Sequence, residues 1–438
     1  MSLADSPLDP GGTAQTSAMP HQAAAAGRGP RRPAMPVILV TVLIDMISIG
    51  LMVPVLPHLV GQFTHSNDQQ TLAFLAVTLA FGSANFVSSP ILGALSDRFG
   101  RRPVLLLGFC GLALSFFVTA VATALWMLVA VRLFSGSMQS NISIANAYVA
   151  DISPPGERAR RYGLMGAMFG IGFILGPVIG GILGDVDVRL PFVVAGCMAL
   201  VNWCYGFFVL PESLPRERRR AFDWRRANPV AALKGLAALK GVGTLVWVIA
   251  MASLAQFMLH MSWVLYTKFK FGWGPGQVGW SLFAVGVVSA FSQGVLLKPL
   301  LARFTPQQLA VAGLSVAALS YLGFGLATQG WMIYAVIVLG LLGGAAPAAM
   351  QSIVANAADP TRQGQTMGAV SSLNSLMAVI APVIGLELLR WVSHRPAGDV
   401  LIGLPFFVSA ALMLLAALIA TRFFRLHPEP TPCVTTRS

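Results

Sequence analysis

The sequence predicts an all-α membrane protein with twelve transmembrane helices arranged as two six-helix bundles. Hydrophobic residues make up 56% of the 438 positions and charged residues only 10%, whereas about a quarter of the residues in a soluble domain are charged. The apolar residues also lie in long runs, and a helix needs about 20 such residues to cross a bilayer. A chain of this composition is better solvated by lipid than by water.

Twelve apolar runs fall into two sets of six, and each run is long enough for one crossing. The first set lies near 36–60, 71–94, 103–123, 125–150, 162–184 and 190–210. The second set lies near 243–267, 276–300, 308–328, 330–354, 364–390 and 401–425.

The runs divide the chain into five segments. Residues 1–35 are rich in Ala, Gly and Pro, lack the apolar core of a signal peptide, and are predicted to be a disordered cytoplasmic tail. The first bundle spans 36–210 and the second spans 243–425, with a basic cytoplasmic linker at 211–242 between them. Residues 426–438 are predicted to form a second cytoplasmic tail.

Basic residues are distributed unevenly across the predicted membrane. With the N-terminus in the cytoplasm, the cytoplasmic segments hold 23 Lys and Arg residues and the exterior loops hold 5. This excess follows the positive-inside rule and predicts that both termini are cytoplasmic. The net charge of +13 is spread over alternate loops and forms no single stripe, so no nucleic-acid partner is expected.

The two sets of helices resemble each other in sequence. SIANAYVADISPPGERARRYGLMGA at 143–167 resembles SIVANAADPTRQGQTMGA at 352–369, and the helices continue as GPVIGG (176–181) and APVIGL (381–386). Two six-helix halves repeated in parallel are typical of transporters whose binding site lies between the halves.

The loop GALSDRFGRRP at 93–103 supplies candidate gating residues. Glycine allows close helix approach, and arginines are bidentate donors for carboxylates. Asp97 suits the N-terminus of a neighbouring helix, expected near Gln363–Gln365, where unpaired N–H groups favour an anion. The alternative is a basic loop that only fixes topology. The candidates are Gly93, Asp97, Arg98, Arg101 and Arg102.

Two ionisable residues lie inside apolar runs of the first half. A carboxylate inside a membrane is costly and marks a functional site by default, which makes Asp45 a candidate proton-coupling residue. A buried arginine needs an acceptor, and Asp45 and backbone carbonyls are candidate partners for Arg132. The alternatives are an interfacial Asp45 that bonds a neighbouring helix, and an Arg132 that only ties helices together.

Small residues in the fifth run fall largely on one face and allow a neighbouring helix to pack closely. They are Gly172, Gly176, Pro177, Gly180 and Gly181. Generic small-residue packing is the alternative interpretation.

Polar residues in other runs are candidates for a substrate cavity: Asn141, Gln256, His260, Gln293, Gln351 and Asn374. Trp263 and Tyr266 are expected near His260, for which a purely structural hydrogen bond is the alternative. Glu387 and Arg390 are interpreted as a surface ion pair.

Several motifs carry a resemblance to a known family. GALSDRFGRRP resembles the signature loop of the major facilitator superfamily, and VRLFSGS (131–137) resembles its helix-4 arginine motif. GFILGPVIGG (172–181) is similar to the helix-5 motif of antiporters, and IDMISIGLMVPVLPHLV (44–60) is similar to the helix-1 motif of drug exporters with twelve helices. With ALWML (124–128), the chain looks most similar to the tetracycline-efflux family over about 36–390.

The resemblance implies roles for individual residues. Asp45 and Arg132 would take part in proton coupling, and the glycine face of helix 5 would seal a contact between helices. Arg101 would reach Asp151 at the cytoplasmic end of helix 4.

The chain also departs from the tetracycline pumps. These usually carry acids in helices 3 and 9 and a histidine in helix 8, where this chain has Ser115, Ala317 and Ser289 at about the equivalent places. Metal–tetracycline chelates would therefore lose several contacts.

The sequence contains no Walker loop and no His–Glu–His zinc pattern, so we expect no enzyme activity, cofactor or metal site, with a proton gradient as the energy source. The predicted function is proton-coupled export of amphipathic small molecules, including tetracycline-like compounds, by alternating access. A proton-coupled metabolite symporter is the nearest alternative, and a non-transporting sensor or scaffold is another. The expected partners are a small-molecule substrate, protons and lipid, for a monomer in the bacterial inner membrane.

Overall fold

The computed structural model describes residues 34–219, 243–344, 349–350, 353 and 363–426. The regular secondary structure of these residues is helical. The helices of the first half are α1 Ala34–Met52, α2 Leu56–Gly61, α3 Asn67–Phe99, α4 Arg101–Ala120, α5 Leu125–Met138, α6 Asn141–Ile152, α7 Arg158–Val186 and α8 Leu190–Val209. Those of the second half are α9 Gly243–Phe271, α10 Pro275–Phe291, α11 Leu297–Arg303, α12 Pro306–Leu326, α13 Gly330–Leu339, α14 Gln363–Val392 and α15 Leu404–Leu426.

Ten helical segments among the described residues are long and apolar enough to cross a membrane. The two other predicted crossings are interrupted. One is the pair α5 and α6, and the other begins with α13, which is followed by a 3₁₀ turn at Gly340–Gly343. As far as the structure describes them, these segments match the predicted crossings, which confirms the all-α membrane fold.

Local sequence explains where several helices begin. The Ser66 hydroxyl accepts a hydrogen bond from the Gln69 N–H at 3.2 Å and caps α3. Thr305 and Gln308 form a capping box that begins α12. Gly100 separates α3 from α4 with a φ of 109°, a conformation that favours glycine.

The helical bundle has two ends, which are defined by where its helices begin and end. We call the end where α1 begins and α3 ends the tail end, and the opposite end, where α2 and α9 end, the far end. At the far end, Lys268 of the second half donates to the Gln70 side chain of the first half at 2.8 Å. Asn67 likewise donates to the Ser393 carbonyl at 3.1 Å. The far end is therefore held together by bonds between the halves.

The halves separate towards the tail end. Helix α7 packs on α10, and α3 packs on α14. Near the far end, a Cβ on Gly181 of α7 would lie 2.6 Å from the Pro275 carbonyl oxygen. Farther down α7, within the part of the chain that the structure describes, a Cβ on Gly170, Gly166 or Gly163 would meet no atom of another helix within 4 Å. Among the described residues, the halves are in contact at the far end, and α7 has no neighbour from the second half at these three glycines towards the tail end.

Candidate functional site

The fourth crossing is broken in the middle of the first half. Helix α5 ends at Met138 and α6 begins at Asn141, and Gln139 between them has φ −93° and ψ 84°. Asn85 of α3 donates to the Gln139 carbonyl at 2.5 Å, which satisfies one backbone group that the break exposes. Discontinuous helices commonly form the central binding sites of transporters, and the sequence pattern did not reveal this break.

Asp45 lies beside the break and is only 3% exposed. The Asn141 side chain, itself 4% exposed, donates through Nδ2 to the two carboxylate oxygens of Asp45 at 3.3 and 3.4 Å. Phe109 and Phe169 line a small cavity together with these two residues. The structure thus brings together one predicted coupling residue and one predicted cavity residue.

Close helix packing directs the Asn141 side chain towards Asp45. A Cβ on Gly108 of α4 would collide with Asn141 Oδ1, so a larger residue there would displace the amide. Within the described residues, Asn141 Oδ1 and Ser140 Oγ are buried without a hydrogen-bond partner. The polar cluster therefore retains unused acceptor capacity next to the carboxylate.

Arg132 does not pair with Asp45, and this part of the sequence interpretation is wrong. Arg132 is 6% exposed, and its guanidinium contacts the Met52 thioether. Its Nε has no partner among the described residues. Met52 lies seven residues beyond Asp45 on α1, a rise of about 10 Å, which places the arginine nearer the far end.

The predicted cavity residues of the second half lie in different surroundings. Gln256 and His260 of α9 are exposed, and His260 Nδ1 lies 2.9 Å from the Gln256 carbonyl oxygen. Asn374 of α14 accepts from the Ser253 hydroxyl at 2.6 Å. Gln293 is exposed in a π-helical turn, Ser292–Leu296, a feature frequent at functional sites.

Three further expectations for the second half have different outcomes. Gln351 lies outside the described residues. Trp263 and Tyr266 are 3% and 0% exposed and pack against Phe406 in the core of the second half. Glu387 and Arg390 form the expected ion pair, at 2.8 Å.

The signature loop forms a polar network at the tail end. Arg101 binds Asp97 at 2.6 Å and Asp151 at 3.1 Å, so the predicted contact between Arg101 and Asp151 is confirmed. Within the part of the chain that the structure describes, the other two arginines have no carboxylate partner for their side chains. Arg98 lies over the Phe99 ring, and the Arg102 guanidinium donates to the Phe207 carbonyl at 2.5 Å.

Glu212 completes this network and was not anticipated from the sequence. Its carboxylate accepts from the backbone N–H of Arg101 at 2.8 Å and of Arg102 at 3.3 Å. These N–H groups lie in the first turn of α4, where a helix leaves its donors unpaired and favours an anion. The available signal was an acidic residue directly after the sixth apolar run, within reach of the loop at Gly100.

Two expectations about the loop have different outcomes. The predicted approach of Asp97 to Gln363–Gln365 falls on side chains outside the described set and stays a prediction. Gly93 does not mediate close packing here, because a Cβ at that position would meet no described atom within 4 Å.

The glycines of α7 contact two helices. Gly172 and Gly180 face α1, and a Cβ on Gly176 would lie 2.6 Å from the Gly50 Cα. Gly181 faces α10, where the Pro177 carbonyl also lies against Gly279. This face of α7 therefore packs against its own half and the other half at once, which requires residues without bulky side chains.

The fold and this site define a multi-pass membrane transporter with a central polar cluster beside a broken helix. The chain belongs to the Major Facilitator Superfamily, whose profile matches residues 38–269 and 245–437. The proteins of this superfamily, and solved structures similar to the chain, are transporters, so it is not an enzyme.

Individual relatives extend over most of the chain. The class C tetracycline resistance protein of Escherichia coli is 35% identical over 87% of this chain and 94% of its own length. The class D protein of Salmonella ordonez is 33% identical over 81% and 88%. The structure of the human organic anion transporter MFSD10 superposes with a TM-score of 0.66 at 23% identity and covers 90% of this chain and 100% of its own.

Proposed function

We propose that the protein exports amphipathic small molecules in exchange for protons by alternating access. The observation that carries this proposal is the buried Asp45 carboxylate, held by Asn141 at the break in the fourth crossing. An ionisable group at this depth is energetically costly, and such a residue therefore marks a functional site by default. Alternating access requires such a central group to be reached from one side at a time.

The cluster suits both protonation states of Asp45. Asn141 now donates its amide N–H groups to the carboxylate. Asn141 Oδ1 has no partner among the described residues, and an amide oxygen can accept the O–H of a protonated carboxyl once the amide has turned over to exchange its oxygen and nitrogen. A site that can satisfy either form is suited to binding and releasing a proton, and we assign the energy source to a proton gradient.

We assign the tail end to the cytoplasm. In the topology predicted from the sequence, the cytoplasmic segments hold 23 Lys and Arg residues and the exterior loops hold 5, which supports this orientation with both termini inside. The structure is then the inward-open state, in which a substrate enters from the cytoplasm. Inner-membrane location and a monomeric transporting unit belong to the same proposal.

The substrate class is supported by the relatives. The resemblance to tetracycline resistance proteins makes tetracycline-like compounds candidates. Ser115 is uncharged, and its hydroxyl donates to the Leu112 carbonyl at 2.8 Å. It therefore offers no charged ligand to a metal–tetracycline chelate. We propose a hydrophobic drug as the main substrate and tetracycline as a weak one.

Accumulation in inverted membrane vesicles tests the proposal. A set of hydrophobic drugs found by susceptibility testing of an expressing host supplies the substrates. Export predicts uptake into the vesicles when a proton gradient, acidic inside, is applied. A symporter would move the substrate outward under the same gradient, and a scaffold would give no movement. Strong magnesium-dependent tetracycline uptake would contradict the proposed substrate preference.

A further inference from the structure

The far end of α7 carries an acidic side chain that its own helix disfavours. Asp185 lies in the last turn of α7 and is exposed. The last turn of a helix has unpaired carbonyl groups and the negative end of the helix dipole, so a carboxylate there destabilises the helix that carries it. A favourable partner for Asp185 therefore has to come from another part of the protein.

The first turn of α10, in the second half, supplies this partner. Its N-cap residue, Gly274, has no side chain that could accept a hydrogen bond, and Pro275 has no N–H. The Gln277 side chain accepts from the Gly274 N–H at 2.9 Å, which leaves the Gly276 N–H without a cap from its own helix. This N–H donates to Asp185 Oδ1 at 2.9 Å. A carboxylate of the first half thus caps a helix of the second half.

Glycine residues on both helices make room for this contact. A Cβ on Gly276 would collide with Asp185 Oδ2, so a side chain there would displace the carboxylate. On α7, a Cβ on Gly181 would lie 2.6 Å from the Pro275 carbonyl oxygen, and a Cβ on Gly184 would lie 3.0 Å from the Pro275 Cβ. The absence of side chains at these positions lets the first turn of α10 reach Asp185.

We propose that Asp185 is a gating residue, whose carboxylate holds the far end closed by capping α10 across the two halves. Parting the halves at the far end would separate Asp185 from the Gly276 N–H and return both groups to water. The contact therefore stabilises only the far-end-closed state, and its loss shifts the population towards the far-end-open state. This inference rests on the alternating access of the proposed function, but it requires no particular substrate or coupling ion.

The exposure of Asp185 sets the size of the effect. Because the side chain is exposed while it caps α10, closing the far end removes little water from the carboxylate, and the desolvation cost is small. The same exposure weakens the attraction between the carboxylate and the N–H groups. We therefore expect a change of about fivefold in the ratio of closed to open molecules, at the low end for a hydrogen bond to a charged group.

Spin-label distances across the far end test the proposal without substrate or gradient. Labels at Gln62 and Ala397, which are exposed and belong to opposite halves, would be introduced into a cysteine-free chain. The nanodisc lipid is chosen so that the wild-type distance distribution shows both states. Asp185→Ala should lower the ratio of closed to open molecules about fivefold. Asp185→Asn should lower it less, because the amide keeps an acceptor oxygen and loses the charge.

Matched variants separate this contact from general effects of the region. Asp187→Ala removes a neighbouring carboxylate that accepts from the Arg189 N–H of its own half at 2.6 Å, so it should keep the wild-type ratio. Gly276→Ala should lower the ratio about as much as Asp185→Ala, because the new methyl group displaces the carboxylate. Gly274→Ala should have a much smaller effect, since its Cβ would lie 3.4 Å from Asp185 Oδ1, an ordinary contact distance.

The double variant shows whether the two residues act together. In a chain that already carries Asp185→Ala, Gly276→Ala should lower the ratio no further, because the carboxylate with which it collides is gone. Additive effects of the two changes, or a wild-type ratio in folded Asp185→Ala, would overturn the role of Asp185. A shifted ratio in a protein that exports no drug in vesicles would instead refute proton-coupled export and leave the Asp185 gate standing.

Discussion

The two halves share one helical plan but carry different chemistry. In the first half, α1 buries Asp45 against Asn141. At a similar depth, the first helix of the second half has Ser253, which donates to the neutral Asn374 side chain. The repeat therefore preserves the positions of polar side chains, but at this depth the carboxylate belongs to the first half and its counterpart in the second half is neutral.

The same contrast holds at the tail end. The third crossing of the first half is α4, and its first residues lie next to the carboxylates of Asp97, Asp151 and Glu212. Its counterpart α12 begins with the uncharged capping box of Thr305 and Gln308, and the preceding sequence KPLLARFTPQQ has no acidic residue. We infer that the first half handles protons and gating charges, while the second half contributes neutral polar contacts to the cavity.

Replacing the central polar residue of each half should give the largest difference in transport between two variants. Asp45→Asn should abolish proton-driven accumulation in inverted vesicles, because an amide cannot bind and release a proton. Asn374→Ala should keep coupling and change only the apparent substrate affinity, by roughly tenfold or less, as expected for one neutral hydrogen bond. Normal substrate-induced proton movement in Asp45→Asn would remove the proposed division between the halves.

The sequence was sufficient for the fold and for part of the site. Twelve apolar runs predict twelve crossings because each run must span the same hydrocarbon thickness. Asp45 could be identified from its type and depth alone. The partner of Asp45 could not be identified in this way. Opposite charge suggested Arg132, but charge alone does not show whether two residues lie at the same depth in the membrane. Arg132 contacts Met52, about two turns from Asp45 along α1.

Other parts of the site depend on long-range geometry. The break at Gln139 lies inside an apolar run and is supported by Asn85 of another helix. Glu212 reaches the N–H of Arg101 over 111 residues of chain. Local patterns report helix length and amphipathicity, but they carry no information about which distant side chain meets an exposed backbone group.

Changing the acidic residue of the signature loop should have an intermediate effect. Asp97 is 44% exposed and binds only Arg101 among the described residues, so it adds little to the tail-end-open state. If it binds the start of α14 in the opposite state, Asp97→Asn should favour the tail-end-open state by about tenfold and slow turnover. Cysteine labelling from the cytoplasmic side measures this shift.

The matched change for this prediction lies in the second half. Arg303→Gln, in the counterpart loop without an acid, should leave the labelling rate nearly unchanged. If Asp97→Asn also labels and transports at wild-type rates, the loop only anchors the topology, and the difference between the halves at the tail end has no role in gating.

The smallest effects concern the starts of α4 and α12. Glu212→Ala removes the acceptor for the N–H groups of Arg101 and Arg102, at a cost of about 1–3 kcal/mol, reduced by partial exposure. Thr305→Ala removes an ordinary N-cap, at a cost of about 1 kcal/mol. Thermal unfolding in detergent should therefore show the larger drop in melting temperature for Glu212→Ala.

Salt separates the two caps further. The loss caused by Glu212→Ala should shrink at high ionic strength, because the wild-type carboxylate acts partly through charge, and partly exposed charges are screened. The loss caused by Thr305→Ala should not change, since a hydroxyl cap is neutral. Glu212→Gln should fall between wild type and Glu212→Ala, because the amide keeps one acceptor oxygen and loses the charge. Equal, salt-independent losses for Glu212→Ala and Thr305→Ala would show that both helix starts need an acceptor and neither needs a charge.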